Sequence, residues 1–85
     1  MDPKVQAVLI AEREAGSKAK TLLADLEPYL AALEAELMQI WRETAKTADV
    51  REETWHRLKA LDMLRADLGR LIKGGDFAEK RLAKA

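Results

Sequence analysis

Leucine and alanine recur at intervals of three and four residues along most of the chain. In the middle, the apolar residues spaced this way are Leu26, Leu30, Leu33, Leu37 and Ile40. This heptad spacing is typical of a helix that packs along one stripe, and it predicts a helix over about 26–47. A second run with the same spacing is Leu61, Leu64, Leu68 and Leu71. It predicts a partner helix over about 50–73.

The first 25 residues carry a weaker stripe. Its members are Val8, Ala11, Ala15, Ala19, Leu22 and Leu26. Asp2 followed by Pro3 is a good helix start, so we expect an N-terminal helix over about 3–24, and Gly16-Ser17 leaves open whether it is continuous or interrupted. Asp25 and Pro28 then indicate a fresh start for the next helix. A kinked continuation of the first helix remains the alternative.

Two further signals predict where the later helices begin and end. Asp49 and Glu52 have the spacing of a capping box, which places the start of the third helix at Val50. Gly74-Gly75 is typical of a helix end. Asp76 and Glu79 form a second such box, which predicts a short C-terminal helix whose Phe77 and Leu82 pack back onto the bundle.

The connection between the two leucine-rich helices is about three residues, so they must run antiparallel. If the hairpin turns at Ala48, residues whose numbers add up to about 96 lie side by side. This rule pairs Trp41 with Trp55, and we interpret the two as an apolar plug that closes the end of the hairpin. An exposed aromatic pair that grips a partner is the alternative.

The composition fits an all-α protein. Of the 85 residues, 48% are hydrophobic and 35% are charged, and beta-branched and aromatic residues are too few for a sheet. The apolar stripes exceed what one hairpin buries, which favours a single helical domain over 1–85 that completes a bundle as a homo-oligomer, first of all a dimer, or with another protein. The interface is predicted to comprise Leu30, Leu33, Leu37, Trp41, Trp55, Leu58, Leu61, Leu64, Leu68 and Leu71.

Charge is balanced overall but unevenly placed. Fifteen basic and fifteen acidic residues give no net charge. Between Lys20 and Arg42 the charges are all acidic, whereas the segment after Arg65 is rich in bases, so we expect the two helices to pair through them. The basic region also offers candidate phosphate contacts, which define a DNA-associated packaging factor as the alternative function. These residues are Arg70, Lys73, Lys80, Arg81 and Lys84.

The sequence offers few residues suited to catalysis. Glu53 and His56 have the Glu-x-x-His spacing of di-iron bundles, and the turn rule adds Glu43, so a dimeric di-metal protein is a third hypothesis. The side chains of Glu53 and His56 flank the leucine stripe or face water. We therefore predict no metal site, no cofactor and no enzyme activity. There is no cysteine. The longest N-terminal apolar run is too short for a signal peptide or a membrane span, and a soluble intracellular protein is expected.

The segment from Ile40 onward, "IWRETAKTADVREETWHRLKALDMLRADLGRLIKGGDFAEKRL", resembles small helical proteins encoded by tailed bacteriophages and prophages. The shared pattern covers residues 40–82 and carries no catalytic motif. The resemblance implies a phage accessory protein, either associated with the virion or acting in the bacterial cytoplasm as an inhibitor of a host protein. Together with the apolar stripes, it predicts a structural or interaction protein without membrane contacts.

Overall fold

Two long antiparallel helices make up the protein. The computed structural model describes residues 1–43 and 47–84. Helix α1 comprises Pro3–Glu43 and helix α2 comprises Ala48–Lys84, and together they form a rod of 59 × 21 × 14 Å. The prediction of an all-α helical hairpin is confirmed.

Both helices begin at a capping residue whose oxygen accepts hydrogen bonds from free backbone amides. Asp2 caps α1, since the Lys4 amide donates to Asp2 Oδ1 at 2.8 Å. At the start of α2 the Val50 amide donates to Thr47 Oγ1 at 3.3 Å, so the cap is Thr47 and not Asp49. Asp49 lies in the first turn, where its charge suits the helix dipole. The connection expected between Thr47 and Val50 is placed too late, since α1 ends at Glu43 and α2 begins at Ala48; residues 44–46 lie outside the described residues.

The predicted interruptions do not divide the helices. α1 runs through Gly16 and Pro28, and α2 runs through Gly74-Gly75 and Asp76, so the expected four segments are two helices. Pro28 is exposed on the outer side of α1, where water can hydrogen-bond the carbonyl that its missing amide leaves free. The alternative of a continuous helix through Pro28 is therefore the correct one.

The contact between the helices is a seam of residues seven apart on each helix. On α1 these are Leu9, Gly16, Leu23, Leu30 and Leu37, and on α2 they are Thr54, Leu61, Leu68, Gly75 and Leu82. All are buried except Leu23 and Leu82, which are half-buried. Thr54 is the polar member, and its hydroxyl donates to the Val50 carbonyl at 2.7 Å. A seven-residue repeat over five positions keeps the same stripe in contact along the whole rod.

The two seam glycines allow the closest approach of the helices. A Cβ atom built on Gly16 would lie 2.7 Å from Gly75 Cα and 2.8 Å from the Leu71 carbonyl oxygen. A Cβ on Gly75 would lie 2.8 Å from Gly16 Cα. Only glycine fits at these two positions, because the backbones themselves are in contact. Beside them Ala78 is completely buried, so small side chains line this end of the hairpin.

The glycine contact also sets the register. Because Gly16 faces Gly75, residues whose numbers add up to about 91 lie at the same level, and not those adding up to about 96. Trp41 and Trp55 are therefore offset by about 7 Å along the axis. Trp41 is half-buried, whereas Trp55 is 51% exposed on another side of α2. The predicted tryptophan plug was wrong in register, because the turn was centred too far along the chain.

We expect Gly75→Ala to lower the free energy of unfolding by up to about 2 kcal/mol. The overpacking penalty of about 1–3 kcal/mol exceeds the gain of about 1 kcal/mol in helix propensity. Chemical denaturation at one fixed protein concentration measures this change.

Gly74→Ala is the matched control, because position 74 has open space around a new Cβ. It should raise the free energy of unfolding by about 0.5–1 kcal/mol. Equal effects of the two substitutions would contradict the close approach of the helices at Gly75.

Candidate functional site: two flanks of one hairpin

The seam has two flanks that differ in chemistry. Residues four positions after a seam residue lie on one side, and those three after or one before lie on the other. Arg65 of α2 contacts Glu27 and Glu34 of α1, and all three are four positions after a seam residue. Corresponding positions of the two helices therefore meet on the same side of the rod.

Ion pairs cover the first side, which we call the closed flank (Glu27, Glu34 and Trp41 of α1; Arg51, Leu58 and Arg65 of α2). Arg65 Nη2 donates to Glu27 Oε1 at 2.9 Å, and Arg65 Nη1 donates to Glu34 Oε2. These hydrogen bonds, first with Glu34 and then with Glu27, raise the pKa of Arg65 above its ordinary value. The expected pairing of the acidic helix with the basic one is present at this point.

Aromatic contacts lie at the loop end of the rod. The Arg51 guanidinium lies over the Trp41 ring, 5.1 Å from its centroid, and bridges the helices on the closed flank. Trp55 instead contacts His56 edge to face, with ring centroids 5.1 Å apart. Each tryptophan thus has a different neighbour, and Trp55 remains available at the surface.

Exposed apolar residues line the other side, the open apolar face. Its members are Val8, Leu22, Tyr29 and Leu33 on α1 and Leu64 and Leu71 on α2. Tyr29 is 75% exposed and Leu71 is 49% exposed. At the open end of the rod, Phe77 extends the face beside Val8, with which it lines a shallow cleft. A contiguous apolar face of this kind is typical of a protein–protein contact.

The open apolar face is a second heptad stripe on α1. Leu22, Leu26, Tyr29 and Leu33 continue the spacing of the N-terminal stripe that contains Val8 and Ala15. Sequence reasoning found the two halves but missed Tyr29, because it divided the helix at Pro28. The apolar residues keep their spacing of three and four across residue 28, from Leu26 to Tyr29 and on to Leu33. This continuity was the signal that could have joined the two halves.

The predicted interface residues divide among three locations. Leu30, Leu37, Leu61 and Leu68 are buried in the seam within one chain, and Leu58 packs against them. Leu33, Leu64 and Leu71 lie on the open apolar face. Trp41 belongs to the closed flank and Trp55 to the outer surface of α2. The second group and Trp55 are free to meet another molecule without opening the hairpin, and the second group forms the larger apolar surface.

The predicted phosphate contacts share the outer surface of α2, which we call the basic back. Arg70, Lys73, Lys80 and Lys84 lie on the side opposite the seam, and Arg81 lies beside them. All are exposed. Arg70 pairs with Asp67, and the Arg81 guanidinium lies 5.9 Å from the Phe77 ring centroid. Asp76 lies beside this surface, three residues after Lys73 and four before Lys80, whereas Glu79 is on the seam side of the helix.

The residues of the metal hypothesis are not brought together. Glu53 pairs with Arg57 at 2.8 Å, and His56 Nε2 lies 3.6 Å from Glu52 Oε1. With the observed register, Glu43 is level with Ala48 and not with Glu53. In residues 1–43 and 47–84, no three His, Cys, Asp or Glu side chains are grouped so that they could hold a metal ion. Neither helix has, over its described residues, a stretch long and apolar enough to cross a membrane.

We expect Arg65→Met to lower the thermal midpoint by a few degrees at 50 mM NaCl, because it leaves Glu27 and Glu34 close together without a cation. Arg65→Glu should lower it further. The difference from the unmodified protein should shrink at 1 M NaCl, where the screening length is about 3 Å. Thermal unfolding followed by circular dichroism measures both values.

Arg70→Met is the control, since Arg70 pairs only within its own helix. Its midpoint should change by less than that of Arg65→Met. A larger effect at position 70 would contradict a role for the interhelical ion pairs in closing this flank.

Comparison with protein-family models, curated proteins and solved structures found no match to this chain. The argument for function therefore rests on the two surfaces described above.

Proposed function

We propose that this protein is a non-enzymatic interaction protein that binds another helical surface through its open apolar face. The observation that carries this proposal is the apolar stripe from Leu22 to Leu33. Leu22, Tyr29 and Leu33 are exposed in it although they have the spacing of a packed seam, and Leu26 between them is half-buried. A helix with apolar residues on two sides needs two neighbours, and α2 supplies only one. The face supports a structural or adaptor role in an assembly.

The ion pairs of the closed flank support the same proposal. Arg65 and its two carboxylates cover one side of the seam, and no charged cluster of this kind covers the other side within the described residues. Burial of Leu22, Tyr29 and Leu33 in a complex would remove a large apolar area from water, at about 25 cal/mol per Å². Polar partners would gain nothing comparable there.

The proposal is tested with a photoreactive phenylalanine derivative incorporated at Tyr29. We expect ultraviolet irradiation of cells that produce this variant to give discrete covalent adducts with protein, because position 29 lies within the contact. Gel electrophoresis and mass spectrometry measure the adducts.

The matched control carries the same derivative at Ala35, which is exposed on the outer side of α1. Adducts from position 35 equal to those from position 29, or none from either, would contradict the proposal.

A second candidate function is binding to duplex DNA through the basic back. The observation that favours it is the exposure of five bases, Arg70, Lys73, Lys80, Arg81 and Lys84, on the outer surface of α2. Such a surface would give affinity that depends on salt and not on sequence. The resemblance to small phage-encoded proteins adds the hypothesis that either partner belongs to a virion or its host.

If the basic back binds DNA, the Lys73→Glu, Lys80→Glu double variant should weaken binding at 50 mM salt by at least about tenfold, because two phosphate contacts are lost. For the unmodified protein, affinity should fall by about a hundredfold or more between 50 and 200 mM salt, as several contacts require. Fluorescence anisotropy with a labelled duplex measures both.

The control double variant, Arg13→Glu with Lys20→Glu, has the same change in net charge on the closed-flank side of α1. No binding at 50 mM salt, or equal losses for the two double variants, would reject the second candidate.

A further inference from the structure

The surface of one hairpin is larger than a folded monomer of this mass needs. The accessible area is 6511 Å². A compact monomer of 9.5 kDa exposes about 5,000 Å², so the excess is about 1,500 Å². Each partner in a standard stable interface loses about 800 Å². A contact of standard size on the open apolar face would therefore remove about half of this excess from water.

We infer that the occupant of the open apolar face is a second copy of this chain, packed face to face in the opposite direction to form a four-helix bundle. This inference rests on the proposed function and names its partner. The two-fold axis crosses the rod, so α1 lies on α1 of the second copy and α2 on its α2. The reasons follow from the residues of the face.

Pairing of α1 with its own copy keeps the wholly apolar part of the face together and leaves the charges of α2 to face acids and bases of the other α2. On α1 the second stripe is apolar at every position between Ala15 and Leu33. The corresponding stripe of α2 contains Glu53, Arg57, Asp67 and Arg81. A contact of α1 with α2 of the second copy would place these charges against leucines, and burying them would cost several kcal/mol each without partners.

The central part of the stripe is symmetric under reversal. Leu22, Leu26, Tyr29 and Leu33 are spaced by four, three and four residues, which reads the same in both directions. Consider an antiparallel pair in which the residue numbers of facing positions add up to about 55. Leu22 of one copy then lies opposite Leu33 of the other, and Leu26 lies opposite Tyr29. Every central position then meets an apolar partner.

α2 is consistent with the same axis. Leu64 is level with Glu27, because the two numbers add up to 91 as those of Gly16 and Gly75 do. The axis between Leu26 and Tyr29 therefore passes beside Leu64, and the two copies of Leu64 meet there. Leu64 is an exposed leucine on the face, although it lies on the more polar helix.

Charges at the edge of the stripe fix the direction. Lys18 lies one turn before Leu22, and Glu36 lies one turn after Leu33. The antiparallel pair places Lys18 of each copy near Glu36 of the other, twice per dimer. A parallel pair would place lysine against lysine and glutamate against glutamate. Antiparallel packing is therefore favoured by attraction and also by avoided repulsion.

The chain has no cysteine, so single cysteines report the register directly. Leu64→Cys should form disulfide-linked dimers under mild oxidation by Cu(II)-phenanthroline, because two copies of residue 64 meet at the axis. Leu71→Cys should not, since its two copies are separated by about 20 Å along the bundle. A mixture of Leu22→Cys and Leu33→Cys chains should form the mixed dimer in preference to either like pair.

Light scattering over a hundredfold concentration range measures the association itself. Lys18→Glu and Glu36→Lys should each weaken the dimer by about tenfold, because each creates two like-charge contacts, and the double variant should restore it. Lys20→Glu, on the closed-flank side of α1, is the control and should leave dimerisation unchanged.

A monomer at all concentrations, or equal crosslinking of Leu64→Cys and Leu71→Cys, would overturn the inference. The two proposals fail separately. Adducts from position 29 with a different protein, combined with a monomer in light scattering, would retain the proposed function and reject the second copy. Absence of adducts together with a monomer would reject both.

Discussion

The direct contact of two backbones at Gly16 and Gly75 is the constraint on which the rest of this hairpin depends. It brings the helices closer than side chains elsewhere allow, and it fixes which residues share a level along the rod. Leu30 then meets Leu61, and Leu37 meets Thr54, so a single seven-residue repeat closes the seam from one end to the other. A shift of one residue would place a Cβ atom against a neighbouring backbone, which makes the register unique.

The hairpin is asymmetric about this seam, and that asymmetry is the basis for its proposed role. Arg65 and the two carboxylates it contacts give one flank a polar cover that tolerates water. On the other flank leucines and Tyr29 are exposed without such a cover, so water meets apolar surface there. A chain of 85 residues folded into two helices has too little interior to bury both sides, and we propose that association buries the second side.

Two residues that the sequence suggested as metal ligands have a structural explanation in the fold. His56 and Glu53 point to partners on their own helix, Glu52 and Arg57, and not to each other or to α1. Conversely, bases that are distant in sequence share one surface of α2, because Arg70, Lys73, Lys80 and Lys84 fall on the side opposite the seam of a helix with 3.6 residues per turn. The basic back is a feature of the folded surface that net charge alone conceals.

The sequence by itself determined that the protein is helical, that the leucine-rich segments run antiparallel, that Asp2 caps the first helix and that apolar surface exceeds what one hairpin buries. These properties depend on local spacing and composition. Only the tertiary structure decided that Gly16, Pro28 and Gly74-Gly75 lie inside continuous helices and that Thr47 is the second cap. A glycine ends a helix or sits in it according to what packs against it. Gly75 lies inside a helix because it packs against Gly16, which is far away in sequence. No local sequence pattern predicts that pairing. The register, and with it the separation of Trp41 from Trp55, follows from that same contact.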